Sequence, residues 1–247
     1  MNVSIHNTSS SKTRQQGLSL IELMVALTIG LILMLGVGQI FLSNKASYNI
    51  QNGLGQLQEN ARFALNIMSQ DIGMAGYDPV EDGTTVDAFN AANTLENQSA
   101  NADLGFTVAA GTASDTVEIN YTSATDCNGN ASGGTATNRY YLNNTDLMCL
   151  GNGSATAEVI AEGIENMQIL YGEDTDNTGI ANHYVSASNV TDWTTIKTVR
   201  IALLASTIEA VGALDDNTYS LLNTPPLGPM DDNQLRRIFS QTTLIRN

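Results

Sequence analysis

Residues 18–42 read LSLIELMVALTIGLILMLGVGQIFL, 25 residues in which Glu22 is the only charged side chain. A helix needs about 20 apolar residues to cross a hydrocarbon core ~30 Å thick, so this stretch predicts a membrane-spanning helix. The 17 residues ahead of it are polar, and their only charged side chains are Lys12 and Arg14; the segment after it carries Lys45 and then turns acidic. Because positive charge collects on the cytoplasmic side of a membrane, the amino terminus is expected in the cytoplasm and the bulk of the chain across the membrane from it.

The chain as a whole has 247 residues, 42% hydrophobic and 14% charged, a length that suits one domain plus an appendage and a composition too apolar for a disordered chain. Twenty-five Asp and Glu against 10 Lys and Arg give a net charge of −15. Between Arg62 and Arg139 there are ten acidic residues and no basic one. Gripping a phosphate backbone needs a positive field, so nucleic-acid binding is not expected. Histidine occurs only at 6 and 183, and cysteine only at 127 and 149, so a Cys/His or Ser/His site would have to use His183. Paired carboxylates remain open on composition alone. No catalytic set, cofactor motif or metal set stands out, and the expectation is a protein that is not an enzyme and holds no cofactor.

The start of the apolar run narrows this. A secretory signal would be cut after its apolar core, behind small residues, and the candidates near Asn44 and Ala46 fit that poorly. Gly17-Leu18-Ser19-Leu20-Ile21-Glu22 instead puts a glycine at the polar-to-apolar boundary and a lone carboxylate five residues beyond it. This pattern resembles the type IV prepilin signature. The resemblance implies that a membrane prepilin peptidase cuts between Gly17 and Leu18 and usually methylates the new amine of Leu18. Members mostly begin with Phe or Met, so Leu18 is a departure that bears on methylation more than on cleavage. A glycine fits the site because a residue without Cβ lets the peptidase reach the backbone closely. Losing Lys12 and Arg14 with the leader takes the side-chain charge from −15 to −17. A carboxylate in an apolar segment is costly, about 2.5 to 3.5 kcal/mol at a helix centre and less near an end, so Glu22 needs a partner. The functional reading pairs it with the terminal amine of a neighbouring subunit; the plain alternative is snorkelling to the interface.

After Leu42 the pattern becomes amphipathic, with Ile50, Leu54, Leu57, Ala61, Leu65, Met68, Ile72 and Ala75 at spacings of three and four. No proline lies between residues 18 and 78, which predicts one helix of some 55 to 60 residues ending before Pro79, with Gly53 and Gly55 as a soft point. Residues 78–247 are rich in Asn, Thr, Ser, Gly and Asp, punctuated by short apolar runs. Strands are predicted at 106–109, 116–121, 139–143, 167–171, 199–204 and 237–245, and the stretches 80–103 and 172–196 show no clear period. The fold class expected is therefore α+β: a long N-terminal transmembrane and amphipathic helix packed on an antiparallel-rich sheet headpiece. The divisions are a leader at 1–17, an assembly helix at 18–42, its amphipathic continuation at 43–77 and a periplasmic headpiece at 78–247.

Two cysteines in a chain whose bulk lies in an oxidising compartment point to a disulfide, and Cys127 with Cys149 is the one pair available. Closing a loop of about 22 residues stabilises by roughly 3 kcal/mol in the chain-entropy model. Glu173-Asp174-Thr175-Asp176-Asn177-Thr178-Gly179 opens like a calcium loop, but Val185 stands where an EF-hand loop starting at Asp174 needs a bidentate Glu. A solvated acidic turn is the reading kept. Trp193, Tyr140, Tyr141, Tyr184 and His183 read as packing or loop residues rather than ligand contacts.

Three further segments, FLSNKASYNIQNGLGQLQENARFALNIMSQDIGMAGY (41–77), EGIENMQILYGEDTDNTG (162–179) and LRRIFSQTTLIRN (235–247), look like PilW-type minor pilins of the type IV pilus. That resemblance implies a subunit that primes pilus assembly with other minor pilins and the major pilin, on the inner-membrane assembly platform, and stays near the filament tip. Removing the 17-residue leader from 247 residues leaves 230, long for a repeating subunit of that family. Two alternatives are a pseudopilin of a type II secretion system and a single-pass anchored periplasmic enzyme or binding protein.

Overall fold

The unbroken apolar run and the amphipathic stripe behind it fold as one helix, α1 (Leu20–Ile72). The computed structural model describes residues 17, 19–79, 85–98, 100–101, 106–107, 113–212 and 214–246, and the chain divides into two units, Met1–Ser47 and Tyr48–Asn247. In the first unit the apolar side chains from Leu20 to Leu42 are all exposed. Leucines, isoleucines and methionines on every side of a helix suit a lipid surrounding. This part of α1 is long and apolar enough to cross a membrane, its most apolar 18 residues averaging a mean hydropathy of 2.5.

In the second unit α1 buries one stripe, Leu57, Ala61, Ala64, Leu65, Met68, Ser69 and Ile72. The stripe follows the three-and-four spacing of the sequence, and the small residues Ala61 and Ala64 let the helix approach the sheets. α1 ends at Ile72, five residues before the expected Tyr77. Gly73 to Tyr77 form tight turns, closed by Met74 N–H to Asp71 O at 2.9 Å and Tyr77 N–H to Met74 O at 2.8 Å. Gly76 sits in the left-handed region at φ 76°, which only glycine enters freely.

The strands are β1 (Leu95–Gln98), β2 (Ala100–Asn101), β3 (Phe106–Thr107), β4 (Ser114–Thr125), β5 (Ala131–Asn143), β6 (Asp146–Gly151), β7 (Glu158–Glu162), β8 (Ile164–Glu173), β9 (His183–Val185), β10 (Ile196–Ser206) and β11 (Arg236–Leu244). They pair antiparallel throughout. One sheet has the order β1-β4-β5-β6-β7, a second β11-β10-β8-β9, and β2 pairs β3. The two larger sheets join without a shared strand: Ser114 Oγ accepts from Met167 N–H at 2.9 Å, and the Asp115 carboxylate accepts from Ile169 N–H at 2.7 Å.

One core serves the whole second unit. The α1 stripe meets Val117 and Ile119 of β4, Tyr140 and Leu142 of β5, Met167, Ile169 and Tyr171 of β8, and Val199, Ile201 and Leu203 of β10. A smaller cluster lies on the other face of β10, where Ala202 and Leu204 pack under Leu221, Tyr219, Leu222 and Leu227 of the long β10–β11 connection. The fold is thus α+β as the sequence implies. Of the six predicted strands, five fall within β4, β5, β8, β10 and β11, the last overrunning β11 by one residue; the sixth begins with β3, and residues 108–109 lie outside the described residues.

Candidate functional site

The first turn of α1 gathers the residues that the sequence singles out. Gly17 is exposed, with open space where a Cβ would stand; Leu18 lies outside the described residues. Ser19 caps the helix. Its Oγ accepts from Glu22 N–H at 3.3 Å, and the Glu22 carboxylate accepts from Ser19 N–H at 3.5 Å. The first helical bond runs from Leu23 N–H to Ser19 O at 3.1 Å. This reciprocal pair is a capping box, which satisfies two of the amide donors that a helix start leaves unpaired. The spacing Ser-x-x-Glu is legible in the sequence, and it gives Glu22 a local partner in addition to any cation from a neighbour. The carboxylate is exposed in the first turn, where the positive end of the helix dipole favours it. Chemically, it is an anion on an apolar rod, open to a cation brought alongside.

At the other end of α1, Asp71 fastens the helix to the first sheet. Its carboxylate accepts from Tyr121 OH at 2.5 Å, Tyr140 OH at 2.5 Å and Asn138 Nδ2 at 2.7 Å. Asn138 in turn accepts from Cys127 N–H at 2.9 Å. Burial, then the hydrogen bond to Asp71, pushes the Tyr121 phenol up; burial and the Asp71 charge push Tyr140 well above the usual phenol range. Both therefore remain donors far into the alkaline range.

A second fastening ties the β10–β11 connection to the second sheet. Arg236 donates to Glu165 from Nε at 2.5 Å and Nη2 at 2.9 Å, to Asp232 from Nη1 at 2.8 Å and Nη2 at 2.6 Å, and to Asp215 from Nη1 at 3.3 Å. Burial works to raise the Asp215 carboxyl, but bonds from Tyr219, Asn217 and Arg236 outweigh it and hold it below the usual range. Tyr219 is pushed up to about 12 by burial and that same contact. These groups saturate one another, which makes them structural.

Cys127 and Cys149 form the expected disulfide, with Cα atoms 6.6 Å apart. It staples β6 to the turn at 126–130, where the Asp126 carboxylate accepts from the N–H groups of Asn128, Asn130 and Gly153. In the acidic turn, Asp174 accepts from Thr178 N–H at 3.0 Å and Gly179 N–H at 2.7 Å, and Asp176 from Thr178 Oγ1 at 2.8 Å. Among the described residues no three His, Cys, Asp or Glu side chains converge as a metal set. Trp193 packs on Phe89 and Tyr171 at ring distances of 5.4 and 4.9 Å. Tyr184 lies under the Arg200 guanidinium at 4.3 Å, and His183 Nδ1 stands 3.5 Å from Glu173. Tyr141 is buried in a small cluster with Met148 and Leu150.

An exposed apolar helix with one carboxylate in its first turn, followed by an amphipathic half packed on antiparallel sheets, is the architecture of a type IV pilin-like protein. The prokaryotic N-terminal methylation motif matches residues 12–38, and the family model of type IV pilus-assembly protein W matches residues 121–247. The second match spans half of the chain, and the chain belongs to the type IV pilus-assembly protein W family. The segments at 162–179 and 235–247 lie inside that match; 41–77 lies outside both. Among solved structures, a type IV-like pilin from Thermus thermophilus is similar over 77% of this chain and 95% of its own, with 15% identity and a TM-score of 0.45. No curated protein matches. The family is one of structural proteins.

Proposed function

We propose that this chain is a minor pilin that primes type IV pilus assembly in complex with other minor pilins and stays near the filament tip. The observation that carries the reading is Glu22, the one charge in the first turn of an exposed apolar helix, five residues after an exposed glycine. In this reading prepilin peptidase removes residues 1–17, Leu18 becomes the methylated amino terminus, and Glu22 receives the terminal amine of a neighbouring subunit. Inside hydrocarbon such a pair fixes the register of helices that are otherwise uniformly greasy. Until a neighbour arrives, the capping box with Ser19 reduces the cost of holding the carboxylate there.

The second unit acts as the periplasmic headpiece, and its oxidised cysteine pair suits that compartment. Its bulk favours a starting or capping position over a uniformly repeating one. The assembly platform extracts the subunit from the inner membrane, and other minor pilins and the major pilin are its partners. It has no catalysis of its own, needs no cofactor, and with a net charge of −15 binds no nucleic acid directly.

The test is a pair of variants in the native host. Gly17→Ala blocks processing; Glu22→Ala leaves processing intact and lowers the number of surface pili. Wild-type piliation in both variants contradicts the proposal, and loss of protein secretion with normal pili transfers the chain to a secretion system.

A further inference from the structure

We propose that the free edge of β11 is a docking strand for an acidic extended strand of another subunit, a proposal that rests on the assembly role above. β11 pairs with β10 over nine residues without a register shift, from Thr198 opposite Leu244 to Ser206 opposite Arg236. Ile245 N–H donates inward to Lys197 O at 2.9 Å, and Ser206 N–H points away from β11 to Gly163 O at 2.8 Å. In an antiparallel ladder these directions alternate residue by residue. Those of Ile238, Ser240 and Thr242 therefore aim their N–H and C=O groups out of the sheet, and among the described residues β11 has no strand on that side. Past them the outward N–H of Arg246 is taken by Gly73 O at 3.2 Å, so the edge offered to another strand runs from Ile238 to Thr242.

A long straight edge is a template for another strand, and folds commonly blunt it with proline, a bulge or a cover. This fold does so elsewhere. The far edge of β8, beyond the short β9, is closed by Ser114 and Asp115, whose side chains take the N–H groups of Met167 and Ile169. The edge strand β7 is five residues long with Glu158 and Glu162 at its ends. β11 has no proline and no bulge. Ile238 and Leu244 stand 40% and 60% exposed along it, side chains that an added strand would cover.

Charge selects the occupant. Residues 236–247 contain three arginines and no acidic residue, in a chain of net charge −15. Arg236 is consumed by its three carboxylates, but Arg237 and Arg246 are exposed at the two ends of the strand. An incoming strand with Asp or Glu toward both of its ends, one on each face, gains the backbone ladder and meets these cations, whereas a basic strand meets repulsion. A second copy of β11 brings arginines to arginines and is disfavoured for the same reason.

The test uses the full chain in its native host with a photoreactive benzoylphenylalanine at Ser240, and in a parallel strain at Val25 to report helix assembly. The expected result is an adduct from Ser240 to another pilus subunit, mapped by peptide mass spectrometry to an acidic strand. Arg237→Glu, which leaves the backbone untouched, and Thr242→Pro, which removes one outward N–H, each lower that adduct about tenfold, as the loss of ~1.4 kcal/mol of binding requires, while the Val25 adduct persists. Val25 adducts without a Ser240 adduct, a Ser240 adduct to a second copy, or a yield indifferent to Arg237→Glu overturn the docking edge and leave the assembly role standing. No adduct at either position overturns both.

Discussion

Asp71→Ala is the substitution expected to damage the headpiece most through a single side chain on α1. The Asp71 carboxylate accepts three hydrogen bonds, at 2.5, 2.5 and 2.7 Å. Two of its donors, Tyr140 and Asn138, are 0% exposed, so water cannot replace the lost acceptor. Each buried donor left unpaired costs about 1 to 3 kcal/mol. Relief of an acidic charge in the last turn of a helix returns only ~0.3 to 1 kcal/mol. For the two donors the net loss is about 1 to 6 kcal/mol, to be set against the ~5 to 15 kcal/mol that holds a typical domain folded. Trp193 is the only tryptophan and packs inside the headpiece, so its fluorescence follows guanidinium unfolding of the full chain in detergent micelles. Asp71→Asn keeps an acceptor without the charge and should lose about half as much. A double-mutant cycle with Tyr140→Phe should give a coupling of about 1 to 2 kcal/mol. The fastening also has a pH signature. Both tyrosines titrate higher folded than unfolded, so the stability they contribute is complete below about pH 10, the ordinary phenol value, and falls as pH rises beyond it. Because burial is the larger cause, Asp71→Ala weakens this alkaline loss without abolishing it. A loss under about 1 kcal/mol, or zero coupling to Tyr140, refutes the reasoning.

The two glycines of the soft point, Gly53 and Gly55, should respond in opposite directions. A Cβ at Gly55 meets nothing within 4 Å, so Gly55→Ala raises the unfolding free energy by about 0.5 to 1 kcal/mol. A Cβ at Gly53 meets Val211 Cγ1 at 3.0 Å and Thr207 Cγ2 at 3.2 Å, so Gly53→Leu lowers it by about 1 to 3 kcal/mol; the same Trp193 titration reads both. Arg236→Met leaves Glu165, Asp232 and the fully buried Asp215 facing one another without a cation. It should cost about 3 to 5 kcal/mol and make the 207–235 connection newly sensitive to limited proteolysis.

The sequence makes the helix legible through its period and the strands of the second sheet through apolar runs of strand length. Val199 to Ala205 of β10 is a nearly continuous apolar run of strand length, and the α1 stripe keeps its spacing from Leu57 to Ile72. β1, β6, β7 and β9 are harder to read. β6, Asp146–Gly151, is apolar on both faces, since Leu147 and Cys149 enter the main core while Met148 and Leu150 pack on Tyr141; no alternation marks it. β1 is the polar LENQ, held by Leu95 N–H to Thr116 Oγ1 and by Glu96 accepting from Ser188, contacts between positions far apart in the chain. The first half of β5, Ala131–Asn143, is glycine and small polar residues that are strand only because β4 lies beside them. Around 172–196 the order comes from β9, two short 3₁₀ turns and the Asp192 cap on Thr194, none of which has a period. At the amino terminus the positions of Gly17 and Glu22 could be read directly, and so could the Ser19 capping box. The Asp71 and Arg236 fastenings could not, because each joins residues about 20 to 70 positions apart.

The central claim, that this chain is processed after Gly17 and enters a pilus, is tested most directly by peptide mass spectrometry of the amino terminus, run separately on inner membranes and on sheared surface filaments. The account predicts a peptide beginning at Leu18, methylated on its amine, in the filament fraction. An uncleaved chain confined to membranes that hold an active prepilin peptidase contradicts it.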